Sequence, residues 1–248
     1  MKMKFNYFGN KAYLTWYTQN LITASLDTVY GKEVLCRGFL SHDNTPIPMV
    51  DLVPFLFENP TLLLNMTCQQ IQDITQFNIT NVGQSTSWIN IAGSLIEDEN
   101  LFKQLCNNAL EPLRPEQRHA LVLEICENDI KSDIVLERVR HLKKMQFMIA
   151  MDDFGSGYSN LSRLSQTPFD IIKLDIKLIE RVPTDIWATS FYREIVNLCS
   201  STGCIIVAEG IESTIQSDFV RWSGVDLIQG FLYALPQKLS ALPSTTFI

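Results

Sequence analysis

The chain has 248 residues, with 20 Lys and Arg against 27 Asp and Glu, for a formal net charge of −7. Apolar residues make up 46% and charged residues 19%, with 11 Gly and 10 Pro, which excludes disordered, low-complexity and collagen-like chains. An acidic chain without a Lys/Arg cluster lacks the face needed to neutralise a DNA or RNA polymer. No apolar run is long enough to span a membrane, and Met1 to Tyr7 contain no apolar signal-peptide core. The six cysteines form no C-x-x-C pair, which fits buried, reduced thiols in a cytoplasmic protein. His42, His119 and His141 show no metal-ligand spacing, so neither a His-built zinc site nor a histidine triad is expected.

Short apolar runs predict strands near 13–20, 33–39, 87–92, 120–125, 146–152, 170–175, 204–209 and 226–230. Helices are predicted near 49–57, 66–75, 97–109, 131–144, 158–165, 186–201 and 213–222. In the fourth of these, Ile134, Val135, Val139 and Leu142 recur at helical spacing between charges. Residues 152–157 and 208–210 look like strand-to-helix turns. Strands alternating with helices imply βαβ units and a mainly parallel sheet. With about eight strands, the closed (β/α)8 TIM-like barrel comes first and the open, doubly wound sheet second. No linker or composition break divides the chain, so one domain over 1–248 is expected.

Polar residues interrupt or end these apolar strands repeatedly. They are Glu33, Asn90, Glu124, Asp152 with Asp153, Lys173, Glu209 and Gln229. Any one of them is commonly a helix cap, a turn residue or half of a structural ion pair. In a parallel barrel, however, the C-terminal strand ends meet at one face, where catalytic groups gather. Five carboxylates would then repel one another unless cations were bound. Oxygen ligands without His or Cys suit Mg²⁺ or Mn²⁺. Two reaction classes fit: metal-assisted hydrolysis of a phosphate ester, and proton abstraction by a lysine beside a metal-bound enolate.

The motifs resemble those of the EAL domain family, phosphodiesterases of cyclic di-GMP. Glu33-Val34-Leu35, followed by Arg37, resembles the signature triplet. Asp152-Asp153-Phe154-Gly155-Ser156-Gly157-Tyr158-Ser159 resembles the family's loop after the fifth or so strand. Asp170 to Asp175 resembles D-x-x-K-I-D, and Ala208 to Glu212 resembles A-E-G-V-E. Gln229-Gly230-Phe231 resembles Q-G-Y with Pro236 downstream, Glu124 to Glu127 resembles E-L-T-E, and Tyr17-Thr18-Gln19 resembles Y-x-Q. The likeness runs over about 12–238.

The resemblance implies a barrel whose first strand is antiparallel, a homodimer, and two Mg²⁺ or Mn²⁺ ions. Glu33, Asn90, Glu124 and Asp152 would hold one ion, and Asp152, Asp153 and Glu209 the other. A water between them would attack phosphorus, giving linear pGpG, with Lys173 orienting it or stabilising charge. Calcium would be inhibitory. Gln19, Leu35, Arg37, Lys173 and Gln229 would meet the substrate. Glu127 would anchor the 152–159 loop, with Asp175 and Glu212 supporting the site from behind.

Four departures from the family pattern stand out. Val34 replaces Ala, Ala92 replaces Ser or Thr, and Cys126 replaces Thr. Leu52 to Glu58 matches F-I-P-x-A-E poorly, so the 41–70 segment is remodelled. The residues outside the likeness leave no room for a second regulatory domain in this chain. The alternative reading is a catalytically weak or inactive module of the same fold that binds cyclic di-GMP or a regulatory protein partner. Such modules lose several metal ligands, whereas every ligand position here is filled.

Overall fold

A computed structural model gives the fold over residues 1–80, 85–156 and 169–239, which are the residues described below. The helix expected near 158–165, and Gly157 to Ser159 of the loop motif, lie outside them.

The chain opens with a hairpin, β1 (Met3–Tyr7) and β2 (Asn10–Thr23), then β3 (Val29–Leu40) and the short β4 (Pro46–Ile47). Two helices follow, α1 (Met49–Phe57) and α2 (Pro60–Thr80). Next come β5 (Thr86–Asn90), α3 (Gly93–Glu97), α4 (Glu99–Leu105), α5 (Pro115–His119) and β6 (Leu121–Cys126). The second half continues with α6 (Asp133–Lys144), β7 (Met148–Phe154), β8 (Ile171–Leu174), α7 (Ile186–Ser200), β9 (Ile205–Ala208), α8 (Thr214–Trp222), β10 (Leu227–Ile228) and β11 (Gln237–Lys238).

The sheet closes on itself. From β3 the order runs through β5, β6, β7, β8, β9 and β10, all parallel, and β2 joins β10 to β3 by antiparallel pairing with both. This is the expected barrel with an inverted first strand. β1, β4 and β11 are additions at its margin, pairing with β2, β3 and β2 respectively. The parallel strands read as continuous apolar runs because helices cover one face and the barrel interior the other. In β6, Leu121 to Ile125 are all buried.

Three helices differ from their sequence reading, and the first of them, α2, expected near 66–75, runs over Pro60–Thr80. The run expected as one helix over 97–109 breaks at Asp98, whose carboxylate accepts the Leu101 N–H (2.9 Å) and starts α4 afresh. A single π-helical turn, Cys106–Leu110, then extends it. In α6 the buried stripe is Val135, Leu136, Val139 and Leu142, while Ile134 stands 50% exposed. Ser132 caps this helix, its hydroxyl accepting the Val135 N–H. At about 100° per residue the stripe runs from Leu142 to Leu136, and Ile134 falls outside it on the Leu142 side.

The apolar core has two parts. A large shell packs the outer helices on the sheet. A smaller plug fills the barrel interior with Leu21, Trp88, Val122, Ala150, Ile171, Val207 and Leu227, one from each of seven barrel strands. The eighth, β3, contributes Gly31, where a Cβ would sit 2.5 Å from the Trp88 indole nitrogen. Glycine is what makes room for that ring.

Candidate active site

Strand side chains alternate faces, so the residue two places beyond each plug residue also points inward, one layer nearer the strand ends. Two beyond Gly31 is Glu33, beyond Trp88 Asn90, beyond Val122 Glu124 and beyond Ala150 Asp152. Ile171 leads to Lys173, Val207 to Glu209 and Leu227 to Gln229. On the inverted β2 the count runs backward, from Leu21 to Gln19. The second inward layer of the barrel is therefore polar on every strand, directly above an apolar floor.

Lys173 stands at its centre and is 1% exposed. Its Nζ lies 2.7 Å from Glu124 Oε1, 2.8 Å from Asp152 Oδ1, 2.8 Å from Glu209 Oε1 and 3.9 Å from Glu33 Oε2. Hydrogen bonds link the remaining members. The Asn90 amide donates to Glu33 Oε1 (3.1 Å) and Glu124 Oε2 (3.3 Å). Gln229 Nε2 donates to Glu33 Oε2 (2.6 Å) and to Gln19 Oε1 (3.3 Å), and Gln19 Nε2 donates to the Ala234 carbonyl (2.9 Å). Behind Gln229, Gly230 packs so close that a Cβ would sit 2.1 Å from the Ile211 carbonyl oxygen.

One ammonium does not balance this many carboxylates. Burial pushes Glu124 well above the usual carboxylate range, against the pull of Lys173. Burial likewise pushes Glu209 up to about 8, with Lys173 opposing and Asp152 and Glu33 adding to it. Asp153 is raised to about 6 by burial and then by the charges of Asp152 and Asp175. Burial disfavours the Lys173 charge too, but Glu124, Glu209, Glu33 and Asp152 outweigh it and hold the ammonium well above its ordinary value.

The donor set fits hard divalent cations. One carboxylate oxygen each from Asp152, Asp153 and Glu209 lie within 4.8 Å of one another. Glu124 Oε1 and Asp152 Oδ1 are buried and, apart from the Lys173 ammonium, have no hydrogen-bond partner among the described residues. Such oxygens are poised for a cation, and the absence of imidazole or thiolate among them favours Mg²⁺ or Mn²⁺ over Zn²⁺.

The other residues singled out in the sequence surround this cluster. Gly155 N–H donates to Glu127 Oε2 (3.2 Å), tying the start of the 152–159 loop to the end of β6. Asp175 is buried, and its Oδ1 accepts the Lys177 N–H (2.7 Å), capping a short turn after β8. Glu212 is exposed and shares a groove with Gln19, Glu33, Glu209 and Gln229. Leu35 and Arg37 line a second groove, next to Asn90. Arg37 does not touch the carboxylates; its Nη1 donates to the Cys36 carbonyl (2.8 Å) and approaches Met49 Sδ (3.8 Å).

One contact was not foreseen. Cys126 donates its thiol to Asp153 Oδ2 (3.6 Å), from the same strand face as Glu124 two residues earlier. The i, i+2 relation to Glu124 was the available signal.

Comparison with known proteins agrees with this fold. The EAL domain family profile matches residues 10–236. Over 96% of the chain, it is 30% identical to the cyclic di-GMP phosphodiesterase PdeL of Escherichia coli K12. Over 92% it is 29% identical to the probable cyclic di-GMP phosphodiesterase PdeD of the same strain. The chain spans 65% of PdeL and 42% of PdeD. A crystal structure of an EAL domain protein from Listeria monocytogenes EGD-e superposes with a TM-score of 0.76 at 28% identity, covering 91% of this chain and 89% of that one. The chain belongs to the EAL domain family.

Proposed function

We propose that this chain hydrolyses cyclic di-GMP to linear pGpG in the cytoplasm, with two Mg²⁺ or Mn²⁺ ions in the carboxylate layer. The observation that carries the reading is the convergence of Glu33, Asn90, Glu124, Asp152 and Glu209 around Lys173, with Asp153 beside them. Glu33, Asn90, Glu124 and Asp152 are assigned to one ion, and Asp152, Asp153 and Glu209 to the other. The cations would supply a nucleophile from water at neutral pH and neutralise phosphate charge.

The chain's own groups do the rest. Asn90 offers its carbonyl oxygen, because its amide nitrogen is engaged by Glu33 and Glu124. Lys173, held protonated by its neighbours, serves as a fixed positive charge beside the reacting phosphate. That same protonation argues against the lysine-base chemistry that the spacing alone left open. Gln229 steadies Glu33 through a 2.6 Å hydrogen bond. Two grooves flank the cluster, one past Leu35 and Arg37 and one past Gln19 and Glu212. That layout suits a ligand with two arms about a central phosphate ring.

Among the described residues no helix is long and apolar enough to cross a membrane. We take the working assembly to be a homodimer; sedimentation velocity at micromolar concentration tests it. The functional test is incubation with cyclic di-GMP and Mg²⁺ or Mn²⁺, followed by chromatographic separation of the nucleotides. Appearance of pGpG that stops on chelation supports the reading, and tight binding without turnover in either metal refutes it.

A further inference from the structure

The groove past Leu35 and Arg37 has a character of its own. It is walled by apolar side chains of α1 and α2, among them Val53, Phe57 and Met66, and has a volume of about 270 Å³. That is below the usual size of a whole small-molecule site and suits one ring system. Asn90 belongs both to this groove and to the hydrogen-bonded layer around Lys173, so the groove opens directly onto the catalytic centre.

One carboxylate lies in this apolar wall. Asp129 follows β6 in a short 3₁₀ turn (Glu127–Asp129) and lines the groove. Its Oδ2 accepts the Gly93 N–H (2.9 Å) at the start of α3. The seat is tight: a Cβ on Gly93 would stand 2.3 Å from Asp129 Cβ. Its second oxygen, Oδ1, accepts no hydrogen bond from a described residue. A carboxylate fixed by one oxygen presents the other as an acceptor without an orienting cost on binding.

Taking this groove as the seat of one base of the nucleotide, we propose that Asp129 selects guanine there. The inference rests on the phosphodiesterase reading and deepens it. The Watson–Crick edge of guanine carries two donors, N1–H and the 2-amino group, which a carboxylate satisfies. Adenine puts an acceptor at N1 and would face Asp129 with like polarity. The apolar walls sandwich the ring, and Arg37, which also lines the groove, supplies donors for acceptor atoms of the same nucleotide. Sites built around a hydrogen bond reject analogues that lack it far more strongly than sites built on shape.

Asp129→Asn is the sharpest test. The asparagine oxygen keeps the Gly93 bond, which forces its NH₂ toward the groove and reverses polarity there. Cyclic di-GMP and cyclic di-AMP are titrated calorimetrically in Ca²⁺ into wild type, Asp129→Asn and Val53→Trp, with recovery of intact nucleotide checked. Val53 is 38% exposed, so a tryptophan there fills the groove without entering the core. Wild type should prefer cyclic di-GMP. Asp129→Asn should weaken cyclic di-GMP by about tenfold or more while leaving cyclic di-AMP unchanged or tighter, and Val53→Trp should weaken cyclic di-GMP as well. Unchanged affinity and preference in Asp129→Asn, or normal binding by Val53→Trp, overturns the inference alone. A wild type that binds no cyclic di-GMP overturns the phosphodiesterase reading with it.

Discussion

Replacing Lys173 by methionine probes the centre of the site without touching any proposed metal ligand. The substitution removes an ammonium that is 1% exposed and lies within 2.8 Å of three carboxylates. Taking one partner from a buried ion pair costs about 3–5 kcal/mol, because the remaining charges are left uncompensated. For a chain of this size each kcal/mol shifts the melting temperature by about 2–4 °C. In EDTA the variant should therefore melt about 6–20 °C below wild type. In Mg²⁺ the gap should narrow, because bound cations take over the compensation and stabilise the folded state by mass action. Thermal melts followed by circular dichroism, with and without Mg²⁺, measure both quantities. A variant that melts within about 2 °C of wild type in EDTA would refute the charge argument. So would an equal loss in EDTA and Mg²⁺.

Further outcomes follow from the same cluster. Glu33→Ala, Asp152→Asn and Lys173→Ala should each lower turnover by about 10²–10³ or more, measured as pGpG formed at saturating Mg²⁺. The lysine variant alone should retain metal and nucleotide affinity, because its role lies in the transition state. Calcium should support nucleotide binding but little hydrolysis, since it prefers longer bonds and more ligands; equal rates in Ca²⁺ and Mg²⁺ would count against the proposed ion pair. The metal-free protein should lose stability with rising pH. The Glu209 carboxyl titrates at about 8 when folded against an ordinary 4.5, so the folded state holds that proton more tightly. Its contribution is complete below about pH 4.5 and lost as pH rises through about 8. The stabilisation gained on adding Mg²⁺ should accordingly grow from pH 5 to 8, and a flat melting temperature over that range in EDTA would contradict the raised carboxyl.

The barrel was legible because its strands are apolar runs ended by polar residues, the pattern that a covered parallel sheet requires. The inverted first strand came from family likeness, since the direction of an isolated apolar run is not written in its period. The margin was less visible. β1 does alternate, with Met3, Phe5 and Tyr7 half-buried between exposed neighbours. Its turn, however, uses Phe8 and Gly9, both at positive φ, rather than the Asn-Gly or Asp-Gly pair that announces such a hairpin. In the site, the strand-end residues could be named from sequence, but not how they meet. That Lys173 would lie against Glu124, Asp152 and Glu209 depends on strand stagger, for instance Lys173 pairing level with Val207 rather than Glu209. Asp129 carried no sequence signal, because an acid after a strand reads as a turn residue until its seat on Gly93 is seen.

The most direct test of the account is the fate of cyclic di-GMP incubated with the wild-type chain in Mg²⁺ or Mn²⁺ and resolved by chromatography. Linear pGpG should accumulate and its formation should cease on adding EDTA. Intact cyclic di-GMP in both metals, at protein concentrations that bind it fully, would contradict the catalytic assignment of the carboxylate layer.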